Sequence, residues 1–89
     1  MAFIVSDYKI DYVENGEILA EVNYLPVEAG IVDICHTEVS DALRGQGIAG
    51  KLMACAAEEL RKTNRKAILS CSYAIKWFKE HPDYADILW

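Results

Sequence analysis

The sequence predicts a small mixed α/β (α+β) protein with elements in the order β-β-β-α-β-α, a mainly antiparallel twisted sheet and helices packed on it. Three observations predict this. Alternating apolar residues flank Asn15-Gly16, the strongest short hairpin signal a sequence can carry. The segment Arg44-Gly45-Gln46-Gly47-Ile48-Ala49-Gly50 stands between a β-branched run and a stretch of helical period. A short, continuously apolar run, Ala67-Ile68-Leu69, then separates two helical segments, as expected of an interior strand.

Each element follows from its side chains. Phe3 to Tyr12 is rich in aromatic and β-branched residues, with Tyr8, Ile10 and Tyr12 alternating with polar neighbours, and reads as the first strand. After the hairpin turn, Ile18, Ala20, Val22 and Tyr24 alternate with Leu19, Glu21, Asn23 and Leu25 as the second. Pro26 to Gly30 holds a turn, and Ile31 to Val39 forms the third strand, completing an antiparallel meander. Ser40 to Arg44 connects to a helix of about four turns, with Ile48, Leu52, Cys55 or Ala56, and Leu60 on one face. Arg61 and Lys62 suit the negative end of that helix, and Asn64 suits a left-handed cap. A second helix is expected from Ser72 to Glu80, stopping at His81-Pro82 because a residue before proline avoids helical geometry.

The chain has 89 residues, 53% of them hydrophobic, which implies one folded domain over 1–89 with one modest core. Nine Lys and Arg against fourteen Asp and Glu give a net charge of −5, which argues against nucleic-acid binding. An anionic cofactor must therefore be held by local donors against the overall field. Three cysteines without paired spacing, a start lacking a basic n-region and no run long enough to span a membrane lead to the expectation of a reducing cytoplasm with free thiols. Cys35, His36, Cys71 and His81 lack zinc-type spacing, so no metal is expected.

The glycine segment carries most of the functional information. In a helix interior its glycines would each cost about 1 kcal/mol. At a helix start they let the backbone approach a bulky group and leave N–H donors pointing outward, where the helix dipole favours phosphate or pyrophosphate. The segment lacks the Lys-Ser/Thr of a nucleoside-triphosphate loop and is not G-x-G-x-x-G. Its Arg-x-x-Gly-x-Ala pattern resembles the coenzyme A pyrophosphate loop of the GCN5-related N-acetyltransferases. The resemblance runs from about Gly30 to His81 and is similar, in His36-Thr37-Glu38-Val39, Cys71-Ser72-Tyr73 and His81-Pro82, to a small single-domain subfamily.

The resemblance implies acetyl-CoA or coenzyme A as cofactor and an unidentified amine as acceptor. It implies that the backbone of Thr37, Glu38 and Val39 pairs with the pantetheine arm. Arg44, Gly45, Gln46, Gly47, Ile48, Ala49 and Gly50 would hold the pyrophosphate. Relatives often carry Asn-x-x-Ala-x-x-x-Tyr after the following strand, the tyrosine protonating the departing thiolate. Here Cys71, Ala74 and Phe78 occupy those places, so the usual general acid is absent. The helices that wall the amine in larger relatives are also missing.

Candidate catalytic residues are Cys71, Glu38 and Tyr73. A thiol at a helix N-terminus is held toward thiolate, so Cys71 is a nucleophile or a replacement acid, or else a small apolar corner residue. Glu38 shares a strand face with His36 and is a general base or a solvated carboxylate. Tyr73 and Tyr84 are replacement acids or packing groups beside Trp77, Phe78 and Trp89. Cys35 and Cys55 read as core. Arg44 pairs with phosphate or with a neighbouring carboxylate, and Lys51 is a phosphate contact or an exposed lysine. The expected function is acetyl transfer to an amine, through or assisted by Cys71. The alternatives are a non-catalytic acyl-CoA-binding or interaction module that kept the loop, and a structural protein in which the loop is only a helix-entry turn. The aromatic tail either completes the core or faces a partner, a homodimer among the options.

Overall fold

The computed structural model describes residues 2–89. Five strands form one sheet in chain order: β1 (Ala2–Val5), β2 (Lys9–Glu14), β3 (Glu17–Glu28), β4 (Ile31–Val39) and β5 (Lys66–Leu69). The first four are antiparallel, and β5 runs parallel to β4. Two helices complete the fold, α1 (Ile48–Lys62) and α2 (Ser72–Glu80), with 3-10 turns at Asp41–Leu43 and Pro82–Ile87.

The meander, the Asn15-Gly16 turn and both helices lie where the sequence places them, and Asn15 and Asn64 adopt positive φ of 52° and 59°. Two elements differ. The first expected strand is two strands, folded back at Ser6–Tyr8, where the Ser6 N–H donates to the Lys9 carbonyl at 2.9 Å. Ala2 then faces Val13 and Val5 faces Ile10. The pattern does break there, since Phe3-Ile4-Val5 is a continuous apolar run and Ser6-Asp7 are turn-forming residues that the sequence reading passed over. The order is therefore β-β-β-β-α-β-α. The second strand also runs on through Pro26 to Glu28, because Pro26 falls next to a register shift, where no ladder donor is needed.

Alternation sorts the meander into two faces. Ile10, Tyr12, Ala20, Val22, Tyr24, Val32 and Ile34 are buried on one face under α1, which contributes Ile48, Leu52, Met53, Ala56, Ala57 and Leu60. Burying one such aliphatic side chain contributes about 1.5–3 kcal/mol, so this face and the helix stripe decide the packing. Ala74, Trp77 and Phe78 of α2 join the same core.

Arg61 ties the C-terminal segment to α1. Its guanidinium grips the Asp86 carboxylate with two N–H groups, at 2.9 and 2.5 Å, and lies over the Tyr84 ring. The Trp89 N–H then donates to the Ala67 carbonyl, and Leu88 bridges to Ala67, so the free edge of β5 is partly covered. Trp77 and Phe78 are thus core and Tyr84 is partly buried, whereas Trp89 is 74% exposed.

Candidate active site

The site is built where two parallel strands part. Pairing of β4 with β5 runs from Ile31–Lys66 to Ile34–Leu69 and stops there. Beyond it, His36 to Val39 keep their β3 partners on one edge and have no strand on the other. The corner after β5 is pinned by Asp33, whose carboxylate accepts from the Ser70 N–H at 3.1 Å and the Ser70 hydroxyl at 2.7 Å. The Ile34 carbonyl accepts from both the Ser70 and Cys71 N–H groups at 3.1 Å.

This corner delivers Cys71 to the open edge of β4. Cys71 is the N-cap residue of α2, and its Sγ lies 3.6 Å from Thr37 Oγ1. Burial pushes the thiol up, but the Ala74 N–H, the Thr37 hydroxyl and the Tyr73 and Thr37 N–H groups outweigh it and hold the thiol below its ordinary value. The Ser40 N–H donates to the Leu19 carbonyl of β3 at 2.7 Å, so alternation along the strand turns the Thr37 N–H toward the open edge. Because strand N–H groups alternate between edges, that of Val39 points the same way. Cys55, by contrast, is pushed up, first by burial and then by Glu58, and Cys35 sits at a strand irregularity near the Asn23 carbonyl.

The glycine loop follows at the end of the same strand. Gly45 and Gly47 have φ of 82° and 70°, a region closed to most L-residues, and a Cβ on either would meet open space. Their role is thus conformational. Gly47 is the N-cap of α1 and has no side chain to cap it. The N–H groups of Gly45, Gly47, Ile48, Ala49 and Gly50 have no acceptor among the described residues, whereas that of Gln46 is used by the Leu43 carbonyl at 3.2 Å. Five N–H donors without an acceptor, at and just before a helix N-terminus, fit a pyrophosphate group. The Arg44 guanidinium pairs with Asp41 at 2.9 Å, the second of its two expected arrangements. Lys51 is exposed.

Tyr73 lies between these two features. A Cβ on Gly50 would lie 3.7 Å from the Tyr73 hydroxyl and 3.6 Å from Trp77 Nε1, so α2 packs against the first turn of α1. Burial, Glu80 and Cys71 push the Tyr73 phenol up, keeping it protonated. Phe78 is buried in the core. Tyr84 donates to Glu58 at 2.8 Å, a structural contact with α1. His81 stacks on Trp77 and hydrogen-bonds the Trp77 carbonyl at 2.7 Å.

Glu38 occupies the other face of the sheet, together with His36 at 3.4 Å. Register brings two residues here that sequence reasoning did not single out. Asp11 faces Glu21 and Glu21 faces Glu38, so three carboxylates form one row across β2, β3 and β4. Alternation put Glu21 on a polar face, but only strand pairing sets it beside Glu38. A cavity of about 270 Å³ adjoins the row, lined by Glu21, Glu38, Val39 and Ser40 and by Ile18 to Ala20.

A mainly antiparallel sheet thus has one parallel pair, and that pair parts beside a helix N-terminus with unpaired N–H donors. A family model described as GCN5-related N-acetyl-transferase matches residues 7–87, and the chain belongs to that family. It is 48% identical over 52 residues to protein NATD1 of Homo sapiens, covering 58% of this chain and 46% of that protein. It is 42% identical over 57 residues to protein NATD1 of Danio rerio, covering 62% and 52%. The chain thus spans about half the length of these relatives. The solution structure of a GCN5-like protein from Staphylococcus aureus superposes with a TM-score of 0.79 at 32% identity, covering 99% of this chain and 87% of that one. Tetrahymena GCN5 superposes at 0.66 with 14% identity, covering 81% and 48%, which shows a common fold.

Proposed function

We propose that this chain is an acetyl-CoA-dependent N-acetyltransferase acting on an amine, with Cys71 at its reactive centre. The observation that carries this is the succession of unpaired donors from the free edge of β4 at Thr37 and Val39 to the N–H groups at the start of α1. Thr37 to Val39 would receive the pantetheine arm as an added strand. Gly45, Gly47, Ile48, Ala49 and Gly50 would hold the pyrophosphate, with Gln46 shaping the turn and Arg44 at its rim. When bound, acetyl-CoA supplies a thioester, an acyl group on a good leaving group.

The chain's own residues supply the rest. Glu38, exposed and beside His36, takes the proton of the incoming amine. Cys71, stabilised toward thiolate by Thr37 and the start of α2, either receives the acyl group or, while protonated, returns a proton to the departing sulfur. Tyr73, kept protonated next to Gly50, is the other donor in reach of that region. Calorimetric titration with acetyl-CoA, coenzyme A and ATP tests the reading. Selective binding of the coenzyme A species, weakened in Gly47→Glu, supports it, and binding of none of them sinks it.

Phe78 favours a second reading. Its ring is buried where many relatives place the proton-donating tyrosine, which suits a module that binds acyl-CoA without turnover. Loss of turnover in Cys71→Ala favours the enzyme. Coenzyme A binding unchanged by that substitution, with no acceptor consumed, favours the module. Three free cysteines are consistent with a reducing compartment such as the cytoplasm.

A further inference from the structure

Gly50, in the first turn of α1, is a glycine without a backbone or packing reason to be one. Its φ is not positive, unlike those of Gly45 and Gly47. A Cβ there would lie 3.6 Å from Trp77 Nε1 and 3.7 Å from the Tyr73 hydroxyl, ordinary van der Waals distances that alanine would accept. Glycine is nevertheless among the poorest helix formers. What its bareness preserves is a gap between the first turn of α1 and two polar side-chain atoms of α2.

Both atoms are unsatisfied. Trp77 is 6% exposed, and its indole N–H has no acceptor among the described residues, although a buried indole N–H ordinarily finds one. The nitrogen is not sealed. Among the described residues the Asp11 oxygen alone is a fully buried polar side-chain atom without a partner, so Trp77 Nε1 opens to solvent. The ring is held in place: His81 stacks on it at 3.9 Å between centroids, Phe78 meets it edge-on at 5.0 Å, and Tyr84 lies tilted at 5.5 Å. Tyr73 stands one turn earlier on the same face of α2, its hydroxyl likewise without a partner among the described residues. Across the gap, the N–H groups of Ile48, Ala49 and Gly50 have no acceptor either. The lining is thus made of donors at the positive end of a helix, which suits an acceptor-rich anion such as a phosphate.

We infer that Trp77 and Tyr73 bind one phosphate of the coenzyme A ligand, the phosphate that adjoins the pantetheine arm, an inference that rests on the acetyltransferase reading above. Gly50 is bare so that this phosphate reaches both donors. The phosphate next to the arm is the one assigned because Tyr73 is two residues from Cys71, whose thiol stands at the open edge of β4 beside Thr37. α2 then shares the grip with the glycine loop, through an indole already fixed by its neighbours, so that little freedom is lost on binding. Tyr73 belongs to binding on this assignment, and Cys71 remains the group at the departing sulfur.

Calorimetry with coenzyme A and phosphopantetheine tests this, because the second keeps the arm and only the phosphate in question. Trp77→Phe removes the indole N–H and keeps an aromatic ring, and Tyr73→Phe removes only a hydroxyl. Each should weaken both ligands about tenfold or more, the effect of one hydrogen bond to a charged group. Gly50→Ala should weaken both as well while its urea midpoint holds or rises, a combination that a merely structural glycine would not give. Nuclear magnetic resonance reads the donor itself. In Trp89→Phe, which leaves Trp77 as the single tryptophan, the indole proton should move downfield with phosphopantetheine and stay in place with pantetheine. If coenzyme A binds but both Phe variants bind it like wild type, the assignment is overturned and the acetyltransferase reading stands. Losses confined to coenzyme A, or no binding of phosphopantetheine at all, overturn it too, since the contact is then with another phosphate. A Gly50→Ala midpoint that falls together with affinity counts against the gap. Should Trp77→Phe fail to fold, Tyr73→Phe and the indole signal decide. If wild type binds no coenzyme A, the acetyltransferase reading fails, and the assignment fails with it.

Discussion

Thr37 and Cys71 are 34 residues apart in the chain, yet Thr37 Oγ1 lies 3.6 Å from Cys71 Sγ. Their meeting follows from parallel pairing of β4 and β5, which stops at Ile34 and Leu69, and from a corner that Asp33 and Ile34 hold through Ser70 and Cys71. Beyond that point β4 has no strand partner on this edge. A thiol, a hydroxyl and a free strand edge then face one gap.

This contact predicts unequal thiol reactivity. Cys71 is held below its ordinary value and Cys55 is pushed above it. Alkylation by iodoacetamide, followed by peptide mass spectrometry, should label Cys71 at a lower pH than Cys55. Thr37→Val should move the Cys71 profile upward, since one of the groups that stabilise its thiolate is gone. The sign for stability is that of an acid with a depressed pKa: the contribution is present above the ordinary thiol value and fades as pH falls through the lowered one. Superimposable profiles for the two cysteines would refute the assignment.

Gly47→Ala should separate conformation from bulk. A Cβ there meets nothing within 4 Å, but φ is 70°. The strain of a left-handed L-residue is about 1–2 kcal/mol, visible as a lower midpoint in urea. Coenzyme A affinity should fall as well, because the donors at the start of α1 lose their alignment. An unchanged midpoint would show that the loop relaxes freely.

Arg61→Ala should release the C-terminal segment. Asp86 is held below the ordinary carboxylate value of 3.8, first by its hydrogen bond to Arg61. Its folded pKa is depressed, so this contribution is present above 3.8 and is lost as pH falls through the lowered folded value. The difference in melting temperature between wild type and Arg61→Ala should therefore be largest near neutral pH and shrink in acid. Hydrogen exchange at the Trp89 amide, bonded to the Ala67 carbonyl, should accelerate in the variant. A difference that grows toward low pH would contradict the pairing.

Leu52→Ala tests how much the core can lose. Leu52 is fully buried at the centre of the α1 stripe, where such truncations cost about 2–5 kcal/mol. Domains of this kind have about 5–15 kcal/mol in total. Calorimetric unfolding should show a large drop in melting temperature or complete loss of the transition. A change of a degree or less would mean that the helix packs less closely than its burial implies.

The amino-acid sequence determined what is local or periodic. Alternation around Asn15-Gly16 defined the hairpin, helical spacing from Ile48 to Leu60 defined the buried stripe of α1, and His81-Pro82 ended α2. The glycines at 45 and 47 marked a loop with positive φ, and Cys71 was legible as a helix-opening thiol. The turn at Ser6–Tyr8 was marked only by the short polar pair Ser6-Asp7 between two apolar runs, a weaker signal than Asn15-Gly16. What only the tertiary structure decided depends on register and on contacts between distant segments. Strand pairing brought Thr37 to Cys71, aligned Asp11, Glu21 and Glu38 in one row, and left the Asp11 oxygen without a partner. Packing of α2 on α1 brought the Tyr73 hydroxyl to Gly50, and packing also placed Phe78 in the core. A sequence period sets the face a side chain takes, but its neighbour on the next strand depends on a pairing free energy summed over the whole sheet.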